Sequence, residues 1–367
     1  MKPDLIHLPI ERRTFIRRTA KLAALSTFCS IVPGKGRAAN PPTLVTAIRD
    51  VSNPYHTTWN QGGQAFAKAV GGEYVTLLNE GNSEKGIADI EAIVTKTGGN
   101  VVLNIEPNDQ PDARPIADIC SKAGAYFTTQ WNKPTDKHPW DFDPYYVAHI
   151  SFDGIQYGEE TGKALIKAMG GSGGIVALGG ILSNTPAIER KAGLEKAIAA
   201  NPGVKLLDFQ AANWKSSEAY TVVGAWLTRF GSEIKGIWAA NDDMAIGALE
   251  ALRSEKLAGK IPITGIDGIK AAVDAIRAKE FAATVSWDPF WQGGMGLAIA
   301  YGAKTGKFDP AKEPHLHREF YGAATVVTQE NVEDFHKTHI ESVPSLERPV
   351  GSRQRSGPRG VTKRIKH

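Results

Sequence analysis

The chain has 367 residues, with 43 basic and 39 acidic side chains and a formal net charge of +4. Residues 1–38 carry 8 basic and 2 acidic side chains, and residues 343–367 carry 7 and 1, which leaves 28 basic and 36 acidic residues between them. The core is therefore acidic, and this excludes a nucleic-acid-binding surface as the origin of the positive charge.

Residues 1–38 resemble an export signal. The sequence RRTFI at 12–16 is similar to the twin-arginine pattern, and the weakly apolar stretch at 20–32 is too short and too polar to span a bilayer. We expect cleavage after Ala38; a basic helix retained in a cytosolic protein is the alternative. Cleavage would leave Cys120 as the only cysteine, which excludes a disulfide and a cysteine-based metal site.

The first part of the core alternates short apolar runs with amphipathic stretches. The apolar runs predict strands, and the stretches between them predict helices. The segment 133–152, rich in Pro, Asp and aromatic residues, interrupts the alternation and predicts a crossing between two halves of the chain. The predicted strands are 43–48, 74–78, 101–105 and 126–129, and the predicted helices are 58–70, 83–96 and 113–123.

The alternation then restarts. Its strands are continuous apolar runs, which are typical of a parallel sheet covered on both faces. Alternation over this length predicts a doubly wound α/β fold of two domains. The predicted helices are 158–169, 186–200, 216–230, 243–254, 270–278 and 291–305, and the predicted strands are 174–178, 204–207, 236–240, 263–266 and 283–286.

The last 25 residues, 343–367, are rich in Arg, Ser, Gly and Pro. Such a composition cannot bury enough apolar surface to fold, so we expect a basic, disordered tail. A contact between this tail and anionic lipid or a partner is the alternative interpretation.

The common catalytic patterns are absent from the sequence. The glycine-rich stretch 170–174 precedes a strand, whereas a phosphate-binding loop must follow a strand and open a helix. There is no GxxxxGKS/T loop and no GxSxG elbow between a strand and a following helix, and Asp242 and Asp243 are adjacent, so they cannot face each other on a helix. His315 and His317 lack the carboxylate-rich setting of a metal site. We therefore expect no enzyme activity, no cofactor and no metal.

Asparagine follows two of the predicted strands, at Asn53 and at Asn241. The carboxyl ends of parallel strands are where ligands bind in open α/β sheets. An asparagine amide offers two donors and an acceptor, which suits a ligand with several hydroxyl groups. Each asparagine could instead serve only as a turn residue or a helix cap.

Several motifs occur in the order found in one family. Together, over about residues 43–335, they resemble the ribose-binding type of periplasmic substrate-binding protein, which feeds an ATP-binding-cassette (ABC) sugar importer. The export signal separates the chain from sugar-responsive repressors, which share the fold but begin with a DNA-binding helix-turn-helix. The motifs are SNPY at 52–55, RKAGL at 190–194, ANDDMAIGAL at 240–249, TGIDG at 264–268 and ATV at 283–285 ahead of Asp288-Pro289.

The resemblance implies two Rossmann-like lobes, joined by a three-strand hinge, that close on a ligand. Lobe one would comprise 43–149 and 288–322, and lobe two 150–287 and 323–340. The resemblance also implies a periplasmic, monomeric protein whose partners are a small-molecule ligand and an ABC permease in the inner membrane. Nucleic acid is not an expected partner.

The resemblance also implies which side chains contact the ligand. Polar groups would pair with its hydroxyls, because an unpaired buried polar group costs about 1–3 kcal/mol. Aromatic faces would pack on its C–H face. Trp131 and Trp287 could instead only fill space between the lobes, and Asp267 could form an Asx turn. The implied ligand-binding residues are Asn53, Tyr55, His56, Trp131, Asn132, Asn241, Asp267 and Trp287.

Three positions depart from the family's pattern. Trp131-Asn132 stands where relatives often carry an Asp-Arg pair, Ile188 where an Arg commonly contacts the ligand, and Trp287 where relatives often carry Gln. These changes predict a ligand less densely hydroxylated than ribose, or one held mainly by stacking. The residues expected to have structural roles instead are Arg190, Trp59 and Trp214.

The expected function is the capture of a sugar, polyol or similar small molecule for an ABC importer. A sensory binding protein that presents its closed form to a membrane receptor or kinase is the alternative, and the sequence does not separate the two. An exported enzyme with this fold would need a nucleophile and a base in partnership, and the sequence offers no such pair.

Overall fold

The computed structural model describes residues 40–342. The predicted export signal at 1–38 and the predicted tail at 343–367 lie outside the described residues. Within 40–342, no helix is both long and apolar enough to cross a bilayer.

The strands are β1 (Thr43–Ile48), β2 (Tyr74–Leu78), β3 (Val101–Ile105), β4 (Tyr126–Gln130), β5 (Tyr146–Ser151), β6 (Gly173–Gly179), β7 (Val204–Ala211), β8 (Ile234–Ala239), β9 (Ile263–Thr264), β10 (Ala283–Ser286), β11 (Glu319–Tyr321) and β12 (Thr325–Thr328). The helices are α1 (Pro54–Val70), α2 (Ser83–Thr97), α3 (Ala113–Ala123), α4 (Gly154–Ala168), α5 (Thr185–Ala199), α6 (Ser216–Phe230), α7 (Asp242–Ser254), α8 (Lys270–Arg277), α9 (Pro289–Lys304), α10 (His315–Arg318) and α11 (Val332–Phe335).

The strands form two six-stranded sheets. The first has the order β11-β5-β4-β3-β1-β2 and the second the order β12-β10-β9-β8-β6-β7. All neighbours are parallel except β12, which pairs antiparallel with β10. We call the first sheet with its helices the first lobe, and the second sheet with its helices the second lobe. This arrangement confirms the predicted α/β class.

Both sheets are buried beneath helices. In the first lobe, α9 packs on α1 and on β3 and β4, although it follows β10 of the second sheet in sequence. In the second lobe, α4 packs on α5 and α6 on α7. Each lobe is therefore built from segments that are far apart in the chain. The residue limits predicted above for the two lobes, and with them the points at which the chain passes from one lobe to the other, stay a prediction.

Cys120 lies on α3 in the core of the first lobe, where its side chain is fully buried and makes no disulfide. Burial raises the pKa of its thiol well above the ordinary value. Because thiolates are the reactive form, this thiol is inert as a nucleophile.

Several predicted elements need correction. Helix α1 begins at Pro54 rather than at residue 58, and α9 begins at Pro289 rather than at 291, because a proline opens each helix. The segment 133–152 contains β5, a strand that was not predicted and that pairs with β4. The predicted helix 158–169 begins four residues earlier, where Asp153 caps it through the backbone N–H of Gln156.

Candidate functional site

Two asparagines, one from each lobe, line a cleft between the lobes. Asn53 follows β1 and caps α1, where its Oδ1 accepts a hydrogen bond from the backbone N–H of Tyr55 at 2.9 Å. Asn241 follows β8 and caps α7, where its Oδ1 accepts from the N–H of Met244 at 3.0 Å. Both residues line the cleft. Because the oxygens are used by the caps, the NH2 groups are the ends left for a ligand.

An aromatic wall forms the first-lobe side of the cleft. The Tyr55 hydroxyl accepts a hydrogen bond from Trp131 Nε1 at 2.8 Å and donates to Gln292 Oε1 at 2.6 Å. The two rings meet edge to face, with centroids 6.4 Å apart. Trp131 has a φ of 64°, a left-handed conformation that directs its side chain away from the regular strand pattern. The hydrogen bonds fix both rings in place.

A histidine–carboxylate pair lies beside this wall. His56 Nε2 is 2.7 Å from Glu106 Oε2, and both residues line the cleft. Burial alone would raise the pKa of Glu106, but the charge and the hydrogen bond of His56, together with the charge of Arg49, hold it below the ordinary value. Glu106 is therefore a carboxylate at neutral pH and can accept hydrogen bonds.

Arg190 and Asp267 form the corresponding pair on the second-lobe side. Arg190 Nη1 donates to the carbonyl oxygen of Ala240 at 2.7 Å and lies 3.8 Å from Asp267 Oδ1. Its guanidinium lies over the rings of Trp131 and Trp214, at 5.0 and 5.6 Å from their centroids. Such cation–π contacts hold a planar cation rigidly. Arg190 is thus a fixed part of the cleft wall.

A second buried carboxyl, that of Asp242, stabilises the loop that carries Asp267. Asp242 accepts hydrogen bonds from the Thr284 hydroxyl at 2.7 Å and from the N–H of Ile269 at 3.0 Å. Burial raises the pKa of Asp267 well above its ordinary value; Arg190 opposes this shift, and Asp242 adds to it. Asp267 itself has a φ of 139°, so the loop holds it in a conformation that side chains rarely adopt.

The structure places six of the eight predicted site residues around one cleft of about 400 Å3, part of which is continuous with solvent. These six are Asn53, Tyr55, His56, Trp131, Asn241 and Asp267. The residues that also line the cleft but were not among the eight are Arg49, Glu106, Pro186, Arg190 and Trp214. Contact between any of these residues and a ligand stays a prediction.

The other two predicted residues are buried and do not line the cleft. Trp287 is fully buried and donates from Nε1 to Asp267 Oδ1 at 3.2 Å, so it supports the site from behind. Asn132 donates to the carbonyl oxygen of Pro107 at 2.9 Å and accepts from the N–H of Thr185 at 3.1 Å. Its amide joins the two lobes.

The expected structural roles also need revision. Arg190 does make a buried ion pair, as expected, but it lines the cleft as well. Ile188, which aligns with a ligand-contacting Arg, is 50% exposed and is not part of the lining. Glu106 could have been found by the argument that identified Asn53, because it directly follows a buried strand, β3.

The lining combines basic and acidic side chains. Arg49 and Arg190 are cationic, and Glu106 and Asp267 are acidic. Among the described residues, no group of three or more His, Cys, Asp or Glu side chains is placed to hold a metal ion. The arrangement offers fixed donors, fixed acceptors and aromatic faces, and these features together suit an uncharged polar ligand.

The sequence and the fold of this chain are similar to those of known proteins. Residues 45–308 match the family described as "Periplasmic binding protein domain". A solved structure of a twin-arginine translocation pathway signal protein from Burkholderia phytofirmans is 57% identical, with a TM-score of 0.82, over 84% of this chain and 95% of that one.

Two curated relatives add named ligands. The ribose import binding protein RbsB of Salmonella typhimurium is 26% identical over 301 residues, 82% of this chain and 96% of the relative. A xylitol-binding protein of Mycolicibacterium smegmatis is 34% identical over 157 residues, which is 43% of this chain and 45% of the relative. The first of these similarities extends over both lobes.

Proposed function

The chain belongs to the periplasmic binding protein domain family, and on that premise we propose that it captures a sugar, polyol or related small molecule between its two lobes and delivers it to the permease of an ABC importer. It is a binding protein and not an enzyme. Members of this family act in the periplasm. Export through the signal at 1–38 and cleavage after Ala38 belong to the same proposal, and N-terminal sequencing of the exported protein tests them.

The observation that carries the proposal is the pair of capping asparagines. Asn53 and Asn241 come from different lobes, and each uses its side-chain oxygen on its own helix. Each therefore offers two N–H donors to the cleft from a fixed position. Donors fixed on both sides of a cleft fit a ligand with hydroxyl oxygens on both of its edges.

The remaining lining supplies what such a ligand also needs. The carboxylate of Glu106 and the carboxyl of Asp267 accept hydrogen bonds from hydroxyl groups of the ligand. Arg190 donates hydrogen bonds to the oxygens of those hydroxyl groups. The faces of Trp131 and Trp214 pack on C–H surface. We assign direct ligand contact to these residues together with Asn53, Asn241, Tyr55 and His56, and supporting roles to Asn132 and Trp287.

The test is calorimetric titration with pentoses, hexoses and the matching acyclic alditols. We expect one-site binding by at least one compound, and a ligand at 100 times its dissociation constant should stabilise the protein by about 2.7 kcal/mol in thermal unfolding. Ligand recovered from the complex should be chemically unchanged. If no polyhydroxy compound binds and nucleosides or aromatic acids bind instead, the assignment of hydroxyl recognition is wrong.

Delivery needs a separate test. In a strain without this gene, uptake of the identified ligand should fall and should return with the wild-type gene. Unimpaired uptake by that strain would contradict delivery to an importer, even if the protein binds the ligand.

A further inference from the structure

Asn184 departs from the usual capping role of an asparagine at a helix N-terminus. It occupies the N-cap position of α5, yet its side chain makes no hydrogen bond to the first turn of that helix. Asn53, Asn82 and Asn241 occupy the same position on α1, α2 and α7, and the side chain of each caps its own helix. A residue type that suits a cap but is used elsewhere points to a functional demand at that place.

The Asn184 side chain bonds across the cleft instead. Its Nδ2 donates to the carbonyl oxygen of Asn108 at 2.9 Å and approaches Asp109 Oδ1 at 3.4 Å. Its Oδ1 accepts from Arg49 Nη2 at 3.3 Å and from Trp214 Nε1 at 2.9 Å. Asn184 is 1% exposed, so these bonds replace water almost completely.

These partners belong to both lobes. Arg49 follows β1 and Asn108 follows β3 in the first lobe, whereas Asn184 and Trp214 follow β6 and β7 in the second. The next residue adds a second connection, because the N–H of Thr185 donates to Asn132 Oδ1 at 3.1 Å. All of these inter-lobe bonds require the lobes to be close together.

We propose that Asn184 and the Thr185 N–H, bonded to Arg49, Asn108 and Asn132, form an inter-lobe latch that favours the closed cleft. Asn184 is not part of the cleft lining, so it acts as a positioning residue. Arg49 and Trp214 do line the cleft, and the latch therefore couples the cleft wall to closure. Its effect on affinity rests on the proposed function, whereas its effect on closure does not.

A latch changes affinity mainly through the closed population. A ligand that binds the closed cleft is held more weakly when that state is less populated. The loss should appear mainly as faster dissociation, because opening precedes release. The order of preference among ligands should stay the same, since the substitution leaves the chemistry of every ligand-contacting group unchanged.

The test compares Asn184→Ala with Asn82→Ala, which removes a genuine N-cap on α2 in the first lobe. We expect a larger radius of gyration by small-angle X-ray scattering for ligand-free Asn184→Ala than for the wild type and Asn82→Ala. In stopped-flow measurements with the ligand from the calorimetric panel, we expect roughly tenfold faster dissociation for Asn184→Ala only.

A second variant tests whether the effect of Asn184→Ala comes from a folding defect. Asn184→Asp keeps an acceptor for Arg49 and Trp214 but removes the donor to Asn108 and places a negative charge near Asp109. We expect a similar opening, with far-UV circular dichroism unchanged. Scattering curves of both variants identical to that of the wild type would overturn the latch. If no sugar or polyol binds, the proposed function fails, while the scattering comparison still decides on the latch.

Discussion

Single side chains at this cleft perform two tasks with different atoms. The amide oxygens of Asn53 and Asn241 cap helices, and their NH2 groups remain for a ligand. His56 likewise binds Glu106 through Nε2 while its ring packs edge to face against Tyr55. The structural bond fixes the orientation of the group that faces the cleft. Such fixed groups lose little conformational freedom on binding a ligand.

Replacing Asn241 by Ala removes both functions at once. The lost cap should lower the free energy of unfolding by about 0.5–2 kcal/mol. The ligand oxygens left without donors should weaken binding by about 1–3 kcal/mol, or roughly 5- to 150-fold. Asn82→Ala should lose a similar amount of stability and keep full affinity, and calorimetry with thermal unfolding checks both. Equal affinity of Asn241→Ala and the wild type would remove Asn241 from the site.

The charge of Glu106 should appear in the pH dependence of stability. Because its pKa is lower in the folded protein than the ordinary value of 4.5, its stabilising contribution is complete above that value. The contribution is lost as the pH falls through the folded-state pKa. Urea unfolding between pH 7 and pH 3 should therefore show a shallower decline for Glu106→Gln than for the wild type.

The control for this series is Glu91→Gln, on an exposed part of α2, whose decline should match that of the wild type. If the curve for Glu106→Gln is as steep as the wild-type curve, the pair with His56 does not stabilise the folded state in the way described.

Among the helices, α4 and α5 pack with their backbones in close contact. A Cβ atom added at Gly158 would collide with the carbonyl oxygen of Arg190, and one added at Gly193 would collide with that of Ile155. The two glycines thus face each other across the contact. The contact also fixes the position of α5. This helix begins at Thr185, which belongs to the latch, and it carries Arg190.

Gly193→Ala should therefore be destabilising, by about 1–3 kcal/mol, because neither helix can move without disturbing the core. Gly224→Ala provides the matched control, since this glycine lies inside α6 with nothing within 4 Å of an added Cβ. There alanine should stabilise by about 0.5–1 kcal/mol through its higher helix propensity. Chemical denaturation measures both, and a neutral Gly193→Ala would show that α4 and α5 can separate.

Element prediction from sequence succeeded where periodicity is strong and local. Strands β1 and β3 lie at the predicted residues, because continuous apolar runs are unambiguous when turn residues bound them. Strands β11 and β12, which have three and four residues, were not predicted. Long side chains were the hardest to assign: whether Arg190 points into the cleft depends on neighbours that only the tertiary structure supplies.

For the whole molecule, both lobes follow the same plan. Each sheet has one edge strand supplied from the C-terminal part of the chain, β11 in the first lobe and β12 in the second. Alternation of strands and helices was sufficient to predict the α/β class. The sheet to which β11 belongs could not be derived from local pattern, because its pairing joins residues more than 150 positions apart, as with Glu319 and His149.

The burial of Cys120 has a practical consequence. Within residues 40–342 a thiol-reactive dye has no accessible target, because the one cysteine there is fully enclosed. With Cys29 changed to Ser, a cysteine introduced at the half-exposed Ile188, one turn after Asn184, would carry a fluorophore alone. Opening and closing of the cleft would then alter the surroundings of the dye, and the protein would serve as a reagentless optical sensor for its own ligand.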